Sequence, residues 1–416
     1  MNPPLIALLI LIMEFAPAEI YSWPLMAAVV LLLLALRPSF FFTAQNPAIP
    51  LLIVLLAGTT FSLGHPAGAV LKDIWYILKP AAIVSLGLIF AYLFRTDRNW
   101  MKMMAVVVIA VALAHTLNAL TTVALEEGEL RPTSFLAAFM APFVWKFYPA
   151  KARGRTIIRA ATICAVVGMI ALSESRATLL TFGIGWLAAY GALQAGGRAL
   201  FVFGFITLAI AALFPLLPQY DFHNVSFFGK LQNSLNEVMF ETGDSRLDMY
   251  RNWRGFEAYR AYATWLQASF PERIVGLGHG TNIDLGRLVT FRSRDVLSLP
   301  RLHNVYFELL VKTGVIGLAA YLAFMIRPFS ARLRARSAEF EIHSRIVRGG
   351  ALVMLLTSAL ISGPLNKTSF DGLLIVWSTS FGIMLLQARA GRRRRVGSRS
   401  RPGARRVGST APARAF

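Results

Sequence analysis

The sequence contains few charged residues and a single cysteine, and both shortages restrict the class of protein. Only 15% of its 416 residues are charged, whereas 56% are hydrophobic, which excludes an ordinary soluble globular protein. The lone Cys164 excludes an intrachain disulfide framework and a Cys-rich zinc site. No Lys or Arg precedes Arg37, so the first apolar segment lacks the charged start of a cleavable signal peptide and is expected to be a retained helix.

Apolar runs of membrane-spanning length occupy most of the chain. They predict an all-α, polytopic membrane protein with about twelve transmembrane helices. The predicted spans are residues 4–20, 22–37, 47–63, 73–94, 101–124, 132–148, 157–173, 177–194, 199–217, 302–326, 347–363 and 368–388. The chain thus divides into a nine-helix bundle (1–217), a large outward loop with helices (218–300), helices ten to twelve (301–388) and a basic tail (389–416).

Basic residues are concentrated on one side of these spans. With the N-terminus inside, the inward segments hold 26 of the 42 Lys and Arg and only three of the 21 acidic residues. The positive-inside rule therefore assigns the net charge of +21 to the cytoplasmic face. This placement argues against a nucleic-acid partner and favours anionic phospholipids beside the tail, which is rich in Gly, Ser, Arg and Pro and is predicted to be disordered.

The outward loop shows helical patterning. The stretch "GDSRLDMYRNWRGFEAYRAYATWLQASF" opens with Asp244 or Ser245 as a candidate N-cap and predicts one helix that runs to Pro271. Helical spacing places four side chains on one face of it: Arg246, Tyr250, Trp253 and Glu257.

Several polar residues lie where the tenth predicted span begins, on the same side as the loop. An imidazole at His303 could accept a proton from a hydroxyl near neutral pH. Alternatively, His303 and Asn304 cap the helix or lie among lipid headgroups. Glu308 and Lys312 are four residues apart in the favourable order, and we expect them to pair while facing the bundle interior.

Three other residues on the outward side are candidates for substrate contact. Arg176 lies in a very short turn, where an arginine is costly unless it meets an anion, either a substrate or Glu174. Lys79 lies inside the fourth span, where a snorkelling side chain is the alternative. His279 lies in the glycine-rich turn "GLGHG", whose backbone N–H groups could face phosphate, although the pattern is not a known fingerprint.

The outward acids show no metal-binding pattern. They contain no D-x-D pair and no pair of acids spaced with a histidine, and their nearest cluster, "EEGE" at Glu126–Glu129, is typical of a solvated loop. No metal and no other cofactor is therefore expected, and any phosphate on this side would be neutralised by arginine.

The order of these elements resembles the O-antigen ligase and polymerase superfamily of bacterial inner membranes. The resemblance rests on "SESRATLL", "GDSRLDMYRNW", "GLGHGTN" and "HNVYFELLVKTGVIGL", and it covers roughly residues 170 to 325. It implies a GT-C-like helical fold and a metal-independent glycosyltransferase. The implied donor is a glycan on undecaprenyl pyrophosphate, used at the periplasmic face.

The resemblance also implies roles for particular residues. Arg176, Arg246 and Arg251 would bind the pyrophosphate, with Arg246 also catalytic, and His303 would act on the acceptor hydroxyl. Tyr250 and Asn304 join Lys79 and His279 as possible substrate contacts. The chain departs from the family at Ser175, where a small residue is frequent, and at Tyr250, where Trp is frequent, but neither difference removes a charge.

Three functions remain open at this stage. A ligase would transfer glycan to the lipid A-core saccharide, whereas a polymerase would join lipid-linked repeat units. The single late loop, followed at once by the His-Asn helix, favours a ligase. A transporter would show polar residues and helix breaks near mid-membrane in repeated halves, but the polar signals gather at the outer boundary and no internal repeat is evident.

Overall fold

A computed structural model describes most of the chain. The described residues are 3–15, 46–93, 100–124, 133–149, 154–173, 175–194, 252–291, 294–330, 338–361, 363–366 and 368–399. The predicted spans 22–37 and 199–217 lie outside these residues, as do Arg246, Tyr250 and Arg251.

The described part of the chain is mostly helical. Its helices are α1 (Pro3–Phe15), α2 (Ile49–Thr59), α3 (Ala67–Leu93), α4 (Trp100–Ala124), α5 (Phe135–Phe147), α6 (Arg155–Ser173), α7 (Arg176–Ala189), α8 (Trp253–Gln267), α9 (Phe270–Val275), α10 (Val305–Ser330), α11 (Ala338–Leu360), α12 (Gly363–Asn366) and α13 (Asp371–Arg399). Short 3₁₀ helices occupy Ser62–Gly64, Ala192–Gln194 and Thr368–Phe370.

Five of the described helices are long and apolar enough to cross a membrane, namely α3, α4, α6, α10 and α13. Helices α2 and α5 are apolar but have only 11 and 13 residues. At 1.5 Å per residue they measure about 16 to 20 Å, less than the hydrocarbon core of about 30 Å. The spans predicted at 47–63 and 132–148 are thus longer than the helices found there. The five long apolar helices agree with a multi-pass membrane protein.

The outward loop contains strands as well as helices. Strand β1 (Ile283–Phe291) pairs antiparallel with β2 (Arg294–Leu299). Leu285 and Val289 of β1 pack against Phe256 of α8. The prediction of an all-α chain is therefore wrong at this hairpin, where apolar residues alternate as in a strand with one buried face.

The predicted single helix to Pro271 is divided into two. Asn252 has non-helical backbone angles, and its Oδ1 accepts a hydrogen bond of 3.2 Å from the backbone N–H of Gly255, so α8 begins only at Trp253. Helix α8 ends at Gln267, and a capping box between Ser269 and Glu272 then starts α9. Pro271 lies in the first turn of α9, where its missing N–H costs no hydrogen bond.

Close packing of α3 against α13 forms the centre of the bundle. A Cβ on Gly87 of α3 would lie 1.9 Å from Ser378 Oγ of α13, so the two helices approach at a position that admits only glycine. Trp377 is fully buried beside this contact, and its indole N–H donates to the carbonyl of Val347 at 2.9 Å.

Helix α13 extends beyond the predicted membrane span. It continues to Arg399, whereas the sequence predicts a disordered tail from residue 389. The prediction is corrected for residues 389–399, because Ala and Arg are good helix formers and adding residues to an existing helix needs no new nucleus. Residues 400–416 lie outside the described residues.

Candidate active site

His303 lies between β2 and α10 and contacts a buried carboxylate. Its Nδ1 is 2.9 Å from Oε2 of Glu257, and its backbone N–H donates to the same oxygen at 3.1 Å. The side chain of His303 is 41% exposed, whereas that of Glu257 is 3% exposed. Because an ionised carboxylate only accepts hydrogen bonds, we assign the proton to Nδ1, which makes Nε2 the ring nitrogen able to accept one.

Asn304 is the residue that caps α10. Its Oδ1 accepts hydrogen bonds from the backbone N–H groups of Tyr306 at 3.0 Å and Phe307 at 3.4 Å. The capping role that the sequence left open for the His-Asn pair therefore belongs to Asn304, while the ring of His303 is oriented by Glu257.

A buried ion network lies next to the backbone segment that precedes His303. Arg301 contacts Asp73 at 2.9 Å and Glu308 at 3.1 Å, and Lys312 contacts the same two acids at 2.9 Å and 3.3 Å. The predicted pairing of Glu308 with Lys312 is confirmed, and both side chains are buried. Two cations and two anions thus balance each other inside the fold.

The same network holds the backbone that leads to His303. Lys312 Nζ donates to the carbonyl of Pro300 at 2.6 Å, and the backbone N–H of Leu302 donates to Glu308 Oε2 at 3.3 Å. A cavity of about 20 Å³ beside Arg301 and Glu308 accommodates one water molecule but no sugar. The network therefore positions the segment that carries His303.

The glycine-rich turn packs against a break in α10. Gly314 has φ 64° and ψ −166°, which interrupts the helix. The carbonyls of Val311 and Lys312 accept instead from the N–H groups of Leu277 (2.8 Å) and Gly278 (3.2 Å). In the bilayer such a break is tolerated only where the protein satisfies the freed carbonyls, as this turn does.

The next two N–H groups of the turn are also occupied. His279 donates to the carbonyl of Gly58 at 2.9 Å, and Gly280 donates to Asp73 Oδ2 at 2.7 Å. The N–H groups of residues 277–280 thus bind the protein itself. The His279 side chain is 1% exposed, its Nε2 lies 3.0 Å from the carbonyl of Leu55, and burial lowers the pKa of its imidazole.

Lys79 forms a buried ion pair between α3 and α13. Its Nζ lies 3.0 Å and 2.9 Å from the two carboxylate oxygens of Asp371, and both residues are buried. The side chain does not extend to the membrane surface, so the snorkelling alternative is wrong. The ion pair accounts for the presence of a lysine at this depth.

Arg176 begins α7 and is half-buried. The preceding Ser175 caps the helix, since its Oγ accepts a 3.3 Å hydrogen bond from the N–H of Thr178. Helix α6 ends at Ser173 and α7 begins at Arg176, as expected for two predicted spans that are close in sequence.

Contacts along α11 show that Arg176 and His303 lie at the same end of the bundle. The other end of α7, at Ala189, accepts a hydrogen bond from Arg345 of α11. The opposite part of α11, at Leu355, accepts one from Tyr306, close to His303 at the start of α10. Since α7 packs along α11, Arg176 lies towards the His303 end.

Sequence reasoning did not identify three acids that pair with basic residues in this region: Glu257, Asp73 and Asp371. A signal was present for two of them, because Asp73 and Asp371 lie in apolar runs, where an ionisable side chain usually has a specific partner. Among the described residues, no group of three or more His, Cys, Asp and Glu side chains is placed to hold a metal ion.

Comparison with known proteins finds a family model that matches this part of the chain. The family model described as O-Antigen ligase matches residues 160–322, which include Arg176, Glu257 and His303. A search of curated proteins gave no match. The segment that spans residues 160–322 is therefore similar to the O-antigen ligase family.

Proposed function

We propose that the protein is an O-antigen ligase, which transfers glycan from undecaprenyl pyrophosphate to the lipid A-core saccharide at the periplasmic face of the bacterial inner membrane. The observation that carries the proposal is the half-exposed ring of His303 held through Nδ1 by the buried carboxylate of Glu257. A carboxylate-oriented imidazole next to a membrane boundary is suited to removing a proton from a hydroxyl.

In the proposed reaction His303 acts as the general base. Nε2 takes the proton of the acceptor hydroxyl while its oxygen attacks the anomeric carbon of the donor. The bond from that carbon to the pyrophosphate oxygen breaks, and undecaprenyl pyrophosphate leaves with the electron pair. Attack from the face opposite the leaving group inverts the anomeric centre. Glu257 stabilises the imidazolium that forms, as the third group of a catalytic triad does.

Arginine side chains are proposed to bind the donor. Arg176, which lies at the His303 end of the bundle, would bind the pyrophosphate together with Arg246 and Arg251. Bidentate guanidinium groups stabilise the charge that develops on the departing pyrophosphate, so this chemistry needs no metal ion.

The buried ion network is proposed to preorganise the base. Arg301, Glu308 and Lys312 fix the backbone from Pro300 to Leu302 through charged hydrogen bonds. A base held in one position avoids the loss of rate that follows from small displacements of reacting groups.

A polymerase that joins lipid-linked repeat units would use the same donor chemistry, and gene deletion separates the two functions. A ligase null strain accumulates lipid-linked polymer and bare core, whereas a polymerase null strain leaves core that carries single units. We expect the ligase pattern on a lipopolysaccharide gel, with rescue by the wild-type gene and no rescue by His303→Ala. Rescue by His303→Ala at equal expression would refute the proposed base.

A further inference from the structure

A second group of charged side chains lies at the end of the bundle opposite His303. We call it the basic cluster, and it consists of Lys146 on α5, Arg155 and Arg159 on α6, and Arg345 and Arg348 on α11. Arg155 and Arg159 share one face of α6, since they are four residues apart. Nη2 of Arg159 donates to the carbonyl of Lys146 at 3.1 Å and so joins α6 to the end of α5.

Aromatic rings and helix ends bring the remaining cations together. Nζ of Lys146 lies 4.2 Å from the ring centroid of Tyr190, and the guanidinium carbon of Arg345 lies 5.6 Å from that of Phe147. Arg348 donates to the carbonyls of Leu193 and Gln194, each at 3.3 Å. Cations next to these C-terminal helix ends are favourable, which accounts for part of the cluster.

Helix stability does not account for Arg155. It is the first residue of α6, where a positive charge opposes the helix dipole. The Nε atoms of four cluster arginines are also buried without a hydrogen bond to any described residue: Arg155, Arg159, Arg345 and Arg348. Buried N–H groups of this kind favour an additional acceptor.

The charge of the basic cluster is largely uncompensated by protein. Among the described residues, Glu341 is the one acid that forms an ion pair with the cluster, and its partner is Arg345. The adjoining sequence stretches 150–153, 195–200 and 331–337 contain six more Lys and Arg and no Asp or Glu. The ligand that complements this end of the bundle is therefore an anion.

Exposed apolar side chains border the cluster and indicate that the anion belongs to a lipid. Ile157, between Arg155 and Arg159 in α6, is 73% exposed, and Tyr190 is 56% exposed. Helix α6 is apolar enough to span the membrane. Its exposed side chains would therefore contact acyl chains, which a free phosphate ion does not have.

We infer that the basic cluster binds the headgroup of an anionic phospholipid, with the acyl chains lying along α6. Basic pockets between transmembrane helices on the cytoplasmic side bind such headgroups, and the positive-inside rule assigns this end of the bundle to the cytoplasm. The site lies at the end opposite His303, and the inference does not depend on the proposed transfer reaction.

Thermal unfolding of the full-length protein in detergent tests the inference with four additives: cardiolipin, phosphatidylglycerol, phosphatidylcholine and inorganic phosphate. Cardiolipin and phosphatidylglycerol are expected to raise the Tm at concentrations at least about tenfold below those at which phosphatidylcholine acts. Inorganic phosphate at the same phosphorus concentration is expected to leave the Tm unchanged. An equal response to phosphatidylcholine, or an equal response to phosphate, would overturn the inference.

A matched pair of variants locates the binding site. Lys146→Gln/Arg155→Gln removes two charges from the basic cluster, and Lys72→Gln/Arg287→Gln removes two from α3 and β1, outside the cluster. The cluster variant should need about tenfold or more cardiolipin for the same shift, whereas the variant of Lys72 and Arg287 should respond like wild type. A wild-type response of the cluster variant would contradict the site. Should that variant fail to fold, Lys146→Gln alone and the lipid selectivity of the wild-type protein decide the question.

Discussion

Replacing Glu257 by glutamine tests the proposed role of the carboxylate behind His303. Glutamine has nearly the same shape, and its amide oxygen can still accept a hydrogen bond from Nδ1. The substitution removes only the negative charge that lies 2.9 Å from the imidazole. We therefore expect the fold to persist and the transfer rate to fall, because the imidazolium formed during proton transfer loses its stabilising partner.

The expected size of the effect follows from the kind of hydrogen bond that is lost. A hydrogen bond to a charged group contributes about 1.5 to 3 kcal/mol, and about 1.4 kcal/mol corresponds to a tenfold change in rate. Glu257→Gln should therefore lower kcat by about 10- to 150-fold.

The assay is glycan transfer by purified protein from an undecaprenyl-pyrophosphate donor to lipid A-core. Glu272→Gln is the matched control, because Glu272 belongs to the same loop but is only half-buried and caps α9. Glutamine preserves a capping box, so this variant should keep wild-type activity. Wild-type kcat in Glu257→Gln would refute the proposed role of Glu257.

Three further predictions concern donor binding, the buried ion pair and pH. Arg246→Ala should abolish transfer without loss of membrane insertion, and Arg246→Lys should remain poor because lysine lacks the bidentate fork; wild-type transfer by the lysine variant would remove Arg246 from the phosphate site. Asp371→Asn should lower the free energy of unfolding by about 3 to 5 kcal/mol, because the substitution leaves Lys79 without its partner in the interior. The double variant Lys79→Met/Asp371→Leu should recover much of that lost stability. Equal Tm values for the two variants would contradict this role of the ion pair. Burial lowers the pKa of His279, so as the pH decreases below about 6.5 the unfolded state gains a proton there before the folded state does. The free energy of unfolding should therefore decrease as the pH is lowered, and the Tm of His279→Gln should depend less on pH than that of the wild-type protein.

The features of the fold that the sequence predicts best depend on local patterns. The apolar runs at 73–94, 101–124 and 157–173 each overlap a helix long enough to span the membrane. The pair of Glu308 and Lys312 followed from their spacing of four residues, which is set by helix geometry alone.

The parts that the sequence did not predict depend on contacts between distant residues. Glu257 and His303 are 46 residues apart, and Lys312 contacts Asp73 across 239 residues. No helical or strand period reports such pairings, because they arise from the packing of one element on another. The break at Gly314 likewise follows from its close contact with the carbonyl of Ile274, where a Cβ would lie 2.3 Å from the oxygen.

The β-hairpin could have been predicted from the sequence. Ile283, Leu285 and Val289 are spaced for one face of a strand. The alternation of apolar and polar residues favours a strand here, and the packing of its apolar face on Phe256 stabilises the hairpin.

The contribution of His303 to the reaction is measured by comparing transfer by purified wild-type protein with transfer by His303→Ala, using a defined lipid-pyrophosphate donor, lipid A-core acceptor and EDTA. We predict transfer by the wild-type protein with EDTA present, and a loss of at least about 100-fold in the variant at equal Tm. Wild-type rates in His303→Ala would contradict the assignment of His303 as the base.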